Sequence, residues 1–426
     1  DQLATDRSDA ARDFTGELAP DRSEYKDVIA GLAADFSLAD GYELDIQTYL
    51  TSSDGDKTVT LTAPVDAEPK LLTLGAEASL GLKTQLWGHP LQMVTGSAFE
   101  YGRLEADWTE YAGGSDRGVV ISSGTGRRTV AAWYVHSLYY PLERLSLSLG
   151  LRIDHTKSEF DEGEGMVGRD PANDTNEHTS VSPKVAVGLE LAPTVAAFAS
   201  VSGAFKSPTL LHLYDSPPYA AGPQYYMLIS NGSLEPQKGT CYEVGAKLIN
   251  PTTKATVTCY YYDITNEIDY DMTANSYDNI GKSRHQGVEL SLWKEVAPVL
   301  SAEASLAVNS ATFRGGDNDG NQINGVPRYR YGFGLAVAPF TDGFIGIRAN
   351  GQSDQWLDEA NDRKLDNYLT VALTAGYQFR SFDFGLKLDN LFDREYSYDG
   401  YVGLMGESRF YPALPRSVMV TLSRML

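Results

Sequence analysis

Hydrophobic and polar side chains alternate along many segments of this 426-residue chain, with the period of two that is typical of β-strands. In segment 368–379, for example, Val371 and Leu373 share one face while Thr370 and Thr374 take the other. Scored between turn signals, the alternation predicts about seventeen strands and an all-β fold. The predicted strands lie near residues 25–38, 42–53, 73–86, 91–104, 128–140, 145–155, 181–191, 195–205, 240–249, 255–265, 284–296, 300–313, 329–339, 344–353, 368–379, 382–392 and 417–426.

The connections between the predicted strands alternate between tight turns and long polar loops. Segment 300–313 precedes a long loop, 329–339 precedes the tight turn around Asp342 and Gly343, and 344–353 precedes another long loop. A transmembrane antiparallel up-and-down β-barrel has this asymmetry, with short periplasmic turns and long extracellular loops. A soluble sandwich has no reason to keep all its long loops at one end. The sequence therefore predicts a barrel in a bacterial outer membrane.

Composition and charge agree with a barrel and narrow the choice of partners. The chain has no apolar run long enough for a membrane helix, so strands would make any contact with lipid. Asp383 and Lys387 alternate with Phe384 and Leu386, which indicates a polar interior that is water-filled or plugged. The formal net charge of -22 argues against a nucleic-acid partner, because such a partner needs a basic surface.

Candidate chemistry is sparse in this sequence. The six histidines show no metal-ligand spacing, and a G-x-S-x-G elbow is absent from the sequence. Segment 317–321 superficially resembles a calcium loop but lacks the closing glutamate, so we expect a polar hairpin tip. We predict no enzyme activity, no metal site and no cofactor.

Several short motifs from about residue 145 onward follow the order found in one family of membrane proteins. They are GLRID at 150–154, VSPK at 181–184, FKSPTL at 205–210, NGSLEP at 231–236 with YEVG at 242–245, GVEL at 287–290, DNLFD at 389–393 with Tyr396, and PRS at 415–417. Together they resemble the barrel of TonB-dependent outer-membrane receptors. That family imports ferric siderophores, cobalamin and similar scarce ligands.

The resemblance implies a TonB-dependent transporter for a scarce metal chelate, such as a ferric siderophore or a cobalamin-like ligand. Family barrels have 22 strands and follow a plug domain that carries the TonB box; nothing in this sequence corresponds to the plug or the box, and about five strands are missing. The expected partners are the chelate, the plug domain or missing N-terminal part, the TonB complex reached through the plug, and outer-membrane lipid and lipopolysaccharide.

The order of turns and loops also predicts on which side of the membrane the chain starts. The last strand follows a long loop and runs inward, so the first predicted strand runs inward too. Bacterial barrels have an even strand number, with both ends in the periplasm. Either a strand within 1–24 is missed, or the chain is a fragment. We favour the fragment, with 1–24 as the remnant of an extracellular loop and 25–426 as barrel strands.

Aromatic and cationic residues on two long loops are the candidate ligand-binding residues. Aromatic rings bind a flat ligand with little loss of side-chain freedom, and arginine forms ion pairs with an anionic chelate. The alternative is that these rings pack loop against loop. The candidates are Tyr214, Tyr219, Tyr225 and Tyr226 in loop 206–239, and Tyr401 and Arg409 in loop 394–416.

Two other functions fit the same pattern. A passive outer-membrane porin is one alternative, because the predicted number of strands is close to that of porins. A surface adhesin or phage-docking barrel is the other, and it would bind a protein partner without uptake.

Overall fold

A computed structural model describes residues 22–60, 64–111, 117–163, 173–215, 229–271, 276–403 and 406–424 of the protein. Seventeen strands in this part of the chain belong to one sheet. They are β1 (Arg22–Ala39), β2 (Tyr42–Thr60), β3 (Pro64–Leu86), β4 (His89–Tyr111), β5 (Arg117–Leu142), β6 (Leu145–Glu162), β7 (Asn173–Ala192), β8 (Val195–Lys206), β11 (Gln237–Asn250), β12 (Thr253–Thr265), β15 (Lys282–Ala297), β16 (Leu300–Phe313), β17 (Tyr329–Phe340), β18 (Gly343–Gln352), β21 (Tyr368–Phe379), β22 (Phe382–Asp389) and β25 (Ser417–Arg424).

Shorter elements lie in the connections between these strands. They form two-stranded hairpins, and one helical turn precedes the first of them. The elements are α1 (Leu210–Leu213), β9 (Tyr214–Asp215), β10 (Ile229–Ser230), β13 (Ile268–Asp271), β14 (Ser276–Asn279), β19 (Gln355–Trp356), β20 (Lys364–Leu365), β23 (Ser397–Val402) and β24 (Ser408–Pro412). No helix in the described part of the chain has the length and apolar character needed to cross a membrane.

The predicted all-β fold is confirmed, and every predicted strand is present. The prediction was wrong at the ends next to the long loops, where β4 continues to Tyr111 and β5 begins at Arg117. There the paired residues Arg103 and Arg127 lie on the face that is mostly apolar nearer the turns. The hydrophobic alternation therefore stops at these residues, although the backbone pairing continues beyond them. The first strand likewise begins at Arg22, and residues 1–21 lie outside the described part.

The chain divides into two compact units, the first of which comprises Asp1–Val185, Ser202–Gly239 and Thr265–Ile280. Within it, β1 to β6 pair consecutively and antiparallel. Two-residue turns join β1 to β2, β3 to β4 and β5 to β6 at one end of this ladder, which we call the turn end. The opposite end carries the longer connections and is called the loop end.

The second unit comprises Ala186–Val201, Thr240–Ile264 and Gly281–Leu426. Its strands β15, β16, β17, β18, β21, β22 and β25 pair in that order and antiparallel. Asn390 and Asp393 close the loop after β22: Asn390 Oδ1 accepts from Arg394 N at 2.9 Å, and Asp393 Oδ1 accepts from Arg416 N at 2.8 Å. Both side chains thus close the turn through hydrogen bonds from backbone amides.

Each ladder has an apolar face and a polar face. In the second unit, Tyr377 pairs with Phe384 on the apolar face, and Thr374 pairs with Lys387 on the polar face. Large side chains on the apolar face are solvent-exposed, including Leu335, Ile347 and Phe384. Exposed apolar area of this extent marks a surface that contacts lipid or another protein.

Close packing on the polar face of the first unit gives a stability prediction. A Cβ atom on Gly96 would lie 2.8 Å from the carbonyl oxygen of Ala78 and 2.6 Å from the hydroxyl oxygen of Tyr134. We expect Gly96→Ala to destabilise the fold by about 1–3 kcal/mol through overpacking. The unfolding temperature in heat-modifiable electrophoresis measures the effect. Gly102→Ala is the matched control on the same strand and face, since its nearest atoms would be 4.0 Å away, and an equal loss in both variants would contradict the prediction.

Candidate functional site

Ionisable and hydroxyl side chains form a hydrogen-bonded network on the polar face of the first unit. The hydroxyl of Tyr49 donates to Glu100 Oε2 at 2.7 Å, and Gln47 Nε2 donates to Glu77 Oε2 at 3.1 Å. The hydroxyl of Tyr134 donates to the other oxygen of Glu77. These side chains lie on β2 to β5, where the alternation of the strands turns them to one face.

A cavity of about 610 Å³ lies on the same face, toward the loop end of the ladder. Small residues create the volume. Gly102 and Ala106 lie on β4, and Gly126 and Gly124 lie on β5 opposite Leu104 and Ala106, so little side chain fills the space between the two strands. We call this space the outer cavity. Its lining includes Tyr25, Lys57, Leu71, Glu100, Leu104, Trp108, Arg128, Phe160, Leu210 and Tyr277.

The outer cavity combines aromatic rings with hydrogen-bond donors. Arg128 Nη1 lies 3.7 Å from Glu100 Oε1, so the guanidinium is near a carboxylate that Tyr49 already engages. Arg128 Nε and Trp108 Nε1 are both buried without a hydrogen-bond partner among the described residues. Buried donors without partners are costly, so the cavity favours a ligand rich in acceptor atoms.

One side of the outer cavity is closed by a small hydrophobic cluster, which we call the loop cap. It consists of Phe160 from β6, Leu210 and Leu213 from α1, Leu234, and Ile268 from β13, all of which are buried. Leu210 packs over the missing side chain of Gly126, with a methyl group 3.2 Å from where a Cβ would stand. The cap therefore fixes the loop after β8 against the strands that line the cavity.

A chain of polar contacts holds both ends of this loop to β7. Asn176 Nδ2 donates to the carbonyl oxygens of Gly232 and Leu234, at 2.8 and 3.0 Å. Asn176 Oδ1 lies 3.3 Å from His178 Nδ1, and His178 Nε2 lies 2.9 Å from Ser207 Oγ. Since the amide oxygen can only accept, Nδ1 carries the proton and Nε2 accepts from Ser207. The start and the end of the loop are thus linked through two neighbouring side chains.

The helical turn in the loop cap depends on a neutral imidazole, which predicts a pH dependence. His212 Nδ1 accepts from Thr209 N at 3.2 Å, while His212 N donates to Thr209 Oγ1 at 3.2 Å. Burial first, and then the positive charge of Lys206, lower the pKa of His212 below its usual 6.5. A lowered folded-state pKa means that the stability contribution is complete above pH 6.5 and is lost as the pH falls from there toward the folded pKa.

We therefore expect the amide of Leu213 to exchange with solvent faster at about pH 5.5 than at about pH 7.5, after correction for intrinsic rates. His212→Gln should remove this difference, whereas His89→Gln, at the turn end of the ladder, should keep it. Hydrogen-exchange mass spectrometry of the loop peptide is the measurement. A difference that persists in His212→Gln would assign the pH dependence to another group.

In the second unit, the hairpin of β23 and β24 carries a group of tyrosines, which we call the aromatic hairpin. Tyr398 and Tyr411 stack with ring centroids 6.1 Å apart, and Tyr401 lies 5.9 Å from Tyr411. Tyr401 is paired with Arg409 across the two strands. Arg409 Nε donates to Glu407 Oε1 at 2.8 Å, so its charge is partly balanced within the hairpin.

A second cavity of about 670 Å³ lies on the polar face of the second unit. Glu289 from β15, Arg330 from β17 and Gln352 from β18 line it, as do Tyr368 and Tyr398. Tyr398 therefore belongs both to the aromatic hairpin and to the lining of this cavity.

The structure places the six predicted ligand-binding residues unequally. Tyr401 and Arg409 are brought side by side by the register of the aromatic hairpin. Tyr214 forms a backbone pair with Ser230 in β9 and β10, and its side chain is outside the described part. Tyr219, Tyr225 and Tyr226 also lie outside the described residues. A role in ligand binding stays a prediction for all six.

Sequence reasoning missed the residues of the outer cavity because it looked for ligand contacts on loops. Trp108 and Phe160 lie on β4 and β6, beyond the predicted ends of both strands. Arg128 stands at the predicted start of β5, outside the loops in which ligand contacts were expected. The spacing of Leu104, Ala106 and Trp108 continues the period of two and could have extended β4.

Comparisons with known proteins agree on one family. The family model for the TonB dependent receptor-like beta-barrel matches residues 2–391. The vitamin B12 transporter BtuB of Vibrio cholerae is 27% identical over 237 residues, which are 54% of this chain and 36% of that protein. The rhizobactin receptor of Rhizobium meliloti is 24% identical over 330 residues, which are 70% of this chain and 43% of that protein.

Solved structures show the same fold. The ferric yersiniabactin uptake receptor FyuA from Yersinia pestis matches with a TM-score of 0.76 and 17% identity, over 94% of this chain and 61% of that chain. The chain spans less than half the length of the two curated relatives above. Those relatives are transporters and receptors, not enzymes. The chain belongs to the β-barrel family of TonB-dependent receptors of the bacterial outer membrane.

Proposed function

We propose that the chain forms the wall of a TonB-dependent transporter that takes up an anionic metal chelate with aromatic groups, with a ferric siderophore as the first candidate. A cobalamin-like ligand is the second. The observation that carries the proposal is the outer cavity. At the loop end of the first unit it brings aromatic rings together with hydrogen-bond donors that have no partner among the described residues. In this family the loop end is extracellular, and the polar face lines the barrel interior.

The chemistry of the cavity favours the siderophore candidate. Trp108, Tyr25 and Tyr277 offer apolar ring surface, and Arg128 and Lys57 offer positive charge in a chain of net charge -22. Catecholate and carboxylate chelates combine flat rings with negatively charged oxygens, so both features are matched. Ligand cavities commonly measure roughly 300–1,000 Å³, a range that includes the 610 Å³ of the outer cavity.

The named relatives include proteins for both candidate ligands, and more of them are named for siderophores. BtuB is a vitamin B12 transporter, and the rhizobactin receptor and FyuA are named for siderophores. The catecholate siderophore receptor Fiu of Escherichia coli is 25% identical over 201 residues, which are 44% of this chain and 26% of that protein. Coupling to TonB through a plug domain is part of the proposal, because transport against a gradient needs an energy source.

The test is uptake by whole cells that lack their other receptors for iron chelates and cobalamin. Cells expressing the protein are offered a radiolabelled ferric catecholate, ferric citrate and cyanocobalamin in turn, with and without TonB. We expect uptake of the ferric catecholate that is lost without TonB. Uptake of cobalamin alone would select the second candidate, and uptake of none of the three would contradict the proposal.

The two other functions predict different results in the same cells. A porin would pass all three small solutes at rates independent of TonB, and it would conduct ions steadily in a planar bilayer. An adhesin would bind a protein partner without any uptake. No relative named above is a porin, and no described contact favours either alternative.

A further inference from the structure

A groove of about 440 Å³ lies on the apolar face of the second unit. It is close to the end at which two-residue turns join β17 to β18 and β21 to β22, which is the turn end of this unit. Its depth comes from side-chain size across one register row, where the small Ala375 stands between the larger Ile345 and Leu386. One pleat closer to the turns, Gly343 pairs with Tyr377, whose ring lies 3.0 Å from where a Cβ of Gly343 would stand and forms one wall of the groove. We call this the rim groove. Its walls are Phe340, Ile345, Tyr377, Phe384, Leu386 and Val420.

Two guanidinium groups stand just beyond the rim groove at the same end. Arg380 Cζ lies 5.3 Å from the ring centroid of Phe379, and Arg424 Cζ lies 5.7 Å from that of Phe382. Phe379 and Phe382 are directly paired, so the two cations flank one pair of rings. These rings are two residues from the groove residues Tyr377 and Phe384 on the same face, which is roughly 7 Å along the strands.

Neither guanidinium forms an ion pair with a described residue, unlike Arg348, Lys387 and Arg409 of the same unit. Arg348 is paired with Glu303, Lys387 with Asp389, and Arg409 with Glu407. Arg380 and Arg424 are both exposed. Two unpaired positive charges beside an apolar groove complement a molecule that has an anionic head and an apolar tail.

We infer that the rim groove and its two arginines form a binding site for one anionic glycerophospholipid of the periplasmic leaflet. The turn end is periplasmic in this family, and the apolar face contacts the bilayer, so a lipid of that leaflet reaches both features at once. One acyl chain fills the hollow over Ala375, and the phosphodiester lies between Arg380 and Arg424. The site does not depend on which ligand the transporter carries.

Native mass spectrometry of the protein purified from outer membranes tests the site. The delipidated protein is titrated with phosphatidylglycerol and, separately, with phosphatidylcholine of the same acyl chains. We expect the wild type to retain phosphatidylglycerol more tightly. Each cation near an anionic lipid contributes about fivefold in affinity, so the double variant R380Q/R424Q should retain phosphatidylglycerol about 25-fold less well. Retention of phosphatidylcholine should stay the same.

Four further variants separate headgroup, groove and folding effects. Arg144→Gln removes one charge from a periplasmic turn of the first unit and should change nothing. Ala375→Phe fills the hollow and should weaken both lipids. If the double variant does not fold, the single variants carry the test, each with about a fivefold loss.

Three results would overturn the site. They are equal retention of the two lipids by the wild type, unchanged phosphatidylglycerol retention in the arginine variants, and occupation of the groove by a second copy of the protein. The last would appear as a dimer that is lost in Ala375→Phe.

Discussion

Replacing Trp108 with alanine is expected to weaken binding of the transported chelate about 30-fold, the effect of removing an aromatic hot spot worth about 2 kcal/mol. Trp108 lies at the loop end of the outer cavity, where its ring forms part of the wall and its buried Nε1 donor has no partner among the described residues. The variant loses both the apolar contact and the donor. Equilibrium binding to whole cells at low temperature measures the affinity without transport.

Replacing Arg128 with glutamine should weaken the same binding about tenfold or more, because a hydrogen bond to a charged group contributes about 1.5–3 kcal/mol. The neighbouring Arg127 is the matched control. It lies on the opposite face of the same strand, with Nη1 paired to Asp161 Oδ2 at 2.7 Å. Arg127→Gln should leave the affinity unchanged, since exposed ion pairs contribute little. Equal losses in the two variants would place the ligand away from the outer cavity.

The strands could be predicted from the sequence because a strand that crosses the bilayer has apolar residues on its lipid face and polar residues on the other. The prediction relied on this alternation of hydrophobic and polar residues. In β21 and β22, every outward residue from Leu369 to Phe379 and from Phe382 to Leu388 meets an apolar medium or its edge, so the period of two is clear. Beyond that medium the outward face becomes charged, as Arg103 and Glu105 show by forming an ion pair with each other. The backbone ladder continues there, but hydrophobicity no longer reports it.

The outer cavity could not be predicted, for two physical reasons. Its space arises from Gly102, Gly124 and Gly126, and the absence of a side chain is not a hydrophobic signal. Its closure depends on Leu210 and Tyr277 reaching β5 and β6 from distant parts of the chain, which local patterns do not encode. The sequence did place Tyr401 and Arg409 in the same loop. Their pairing could not be predicted, because it depends on the register of the hairpin.

Replacing Leu213 with alanine is expected to release the loop cap while the strands stay folded. Leu213 is 0% exposed and packs with Leu234, which is 2% exposed, inside a cluster that also holds Phe160. Truncating a fully buried leucine costs about 2–5 kcal/mol, through lost transfer free energy and the cavity that remains. That cost falls on a small cluster, so we expect local opening rather than global unfolding.

Hydrogen exchange separates the two outcomes, because the cap contains a backbone bond of its own. The Asn231 amide donates to the carbonyl oxygen of Leu213 at 2.6 Å, and its protection reports whether the cap is closed. In Leu213→Ala that amide should exchange at least about 30-fold faster, as a loss of 2 kcal/mol or more requires. The amides of β4 and β5 should keep their rates. Leu414→Ala, at a side chain 78% exposed, removes the same atoms without opening a cavity and should alter neither. Faster exchange throughout β4 and β5 would contradict the prediction. It would show that the cap stabilises the strands as well, so that the cap cannot open while the strands stay folded.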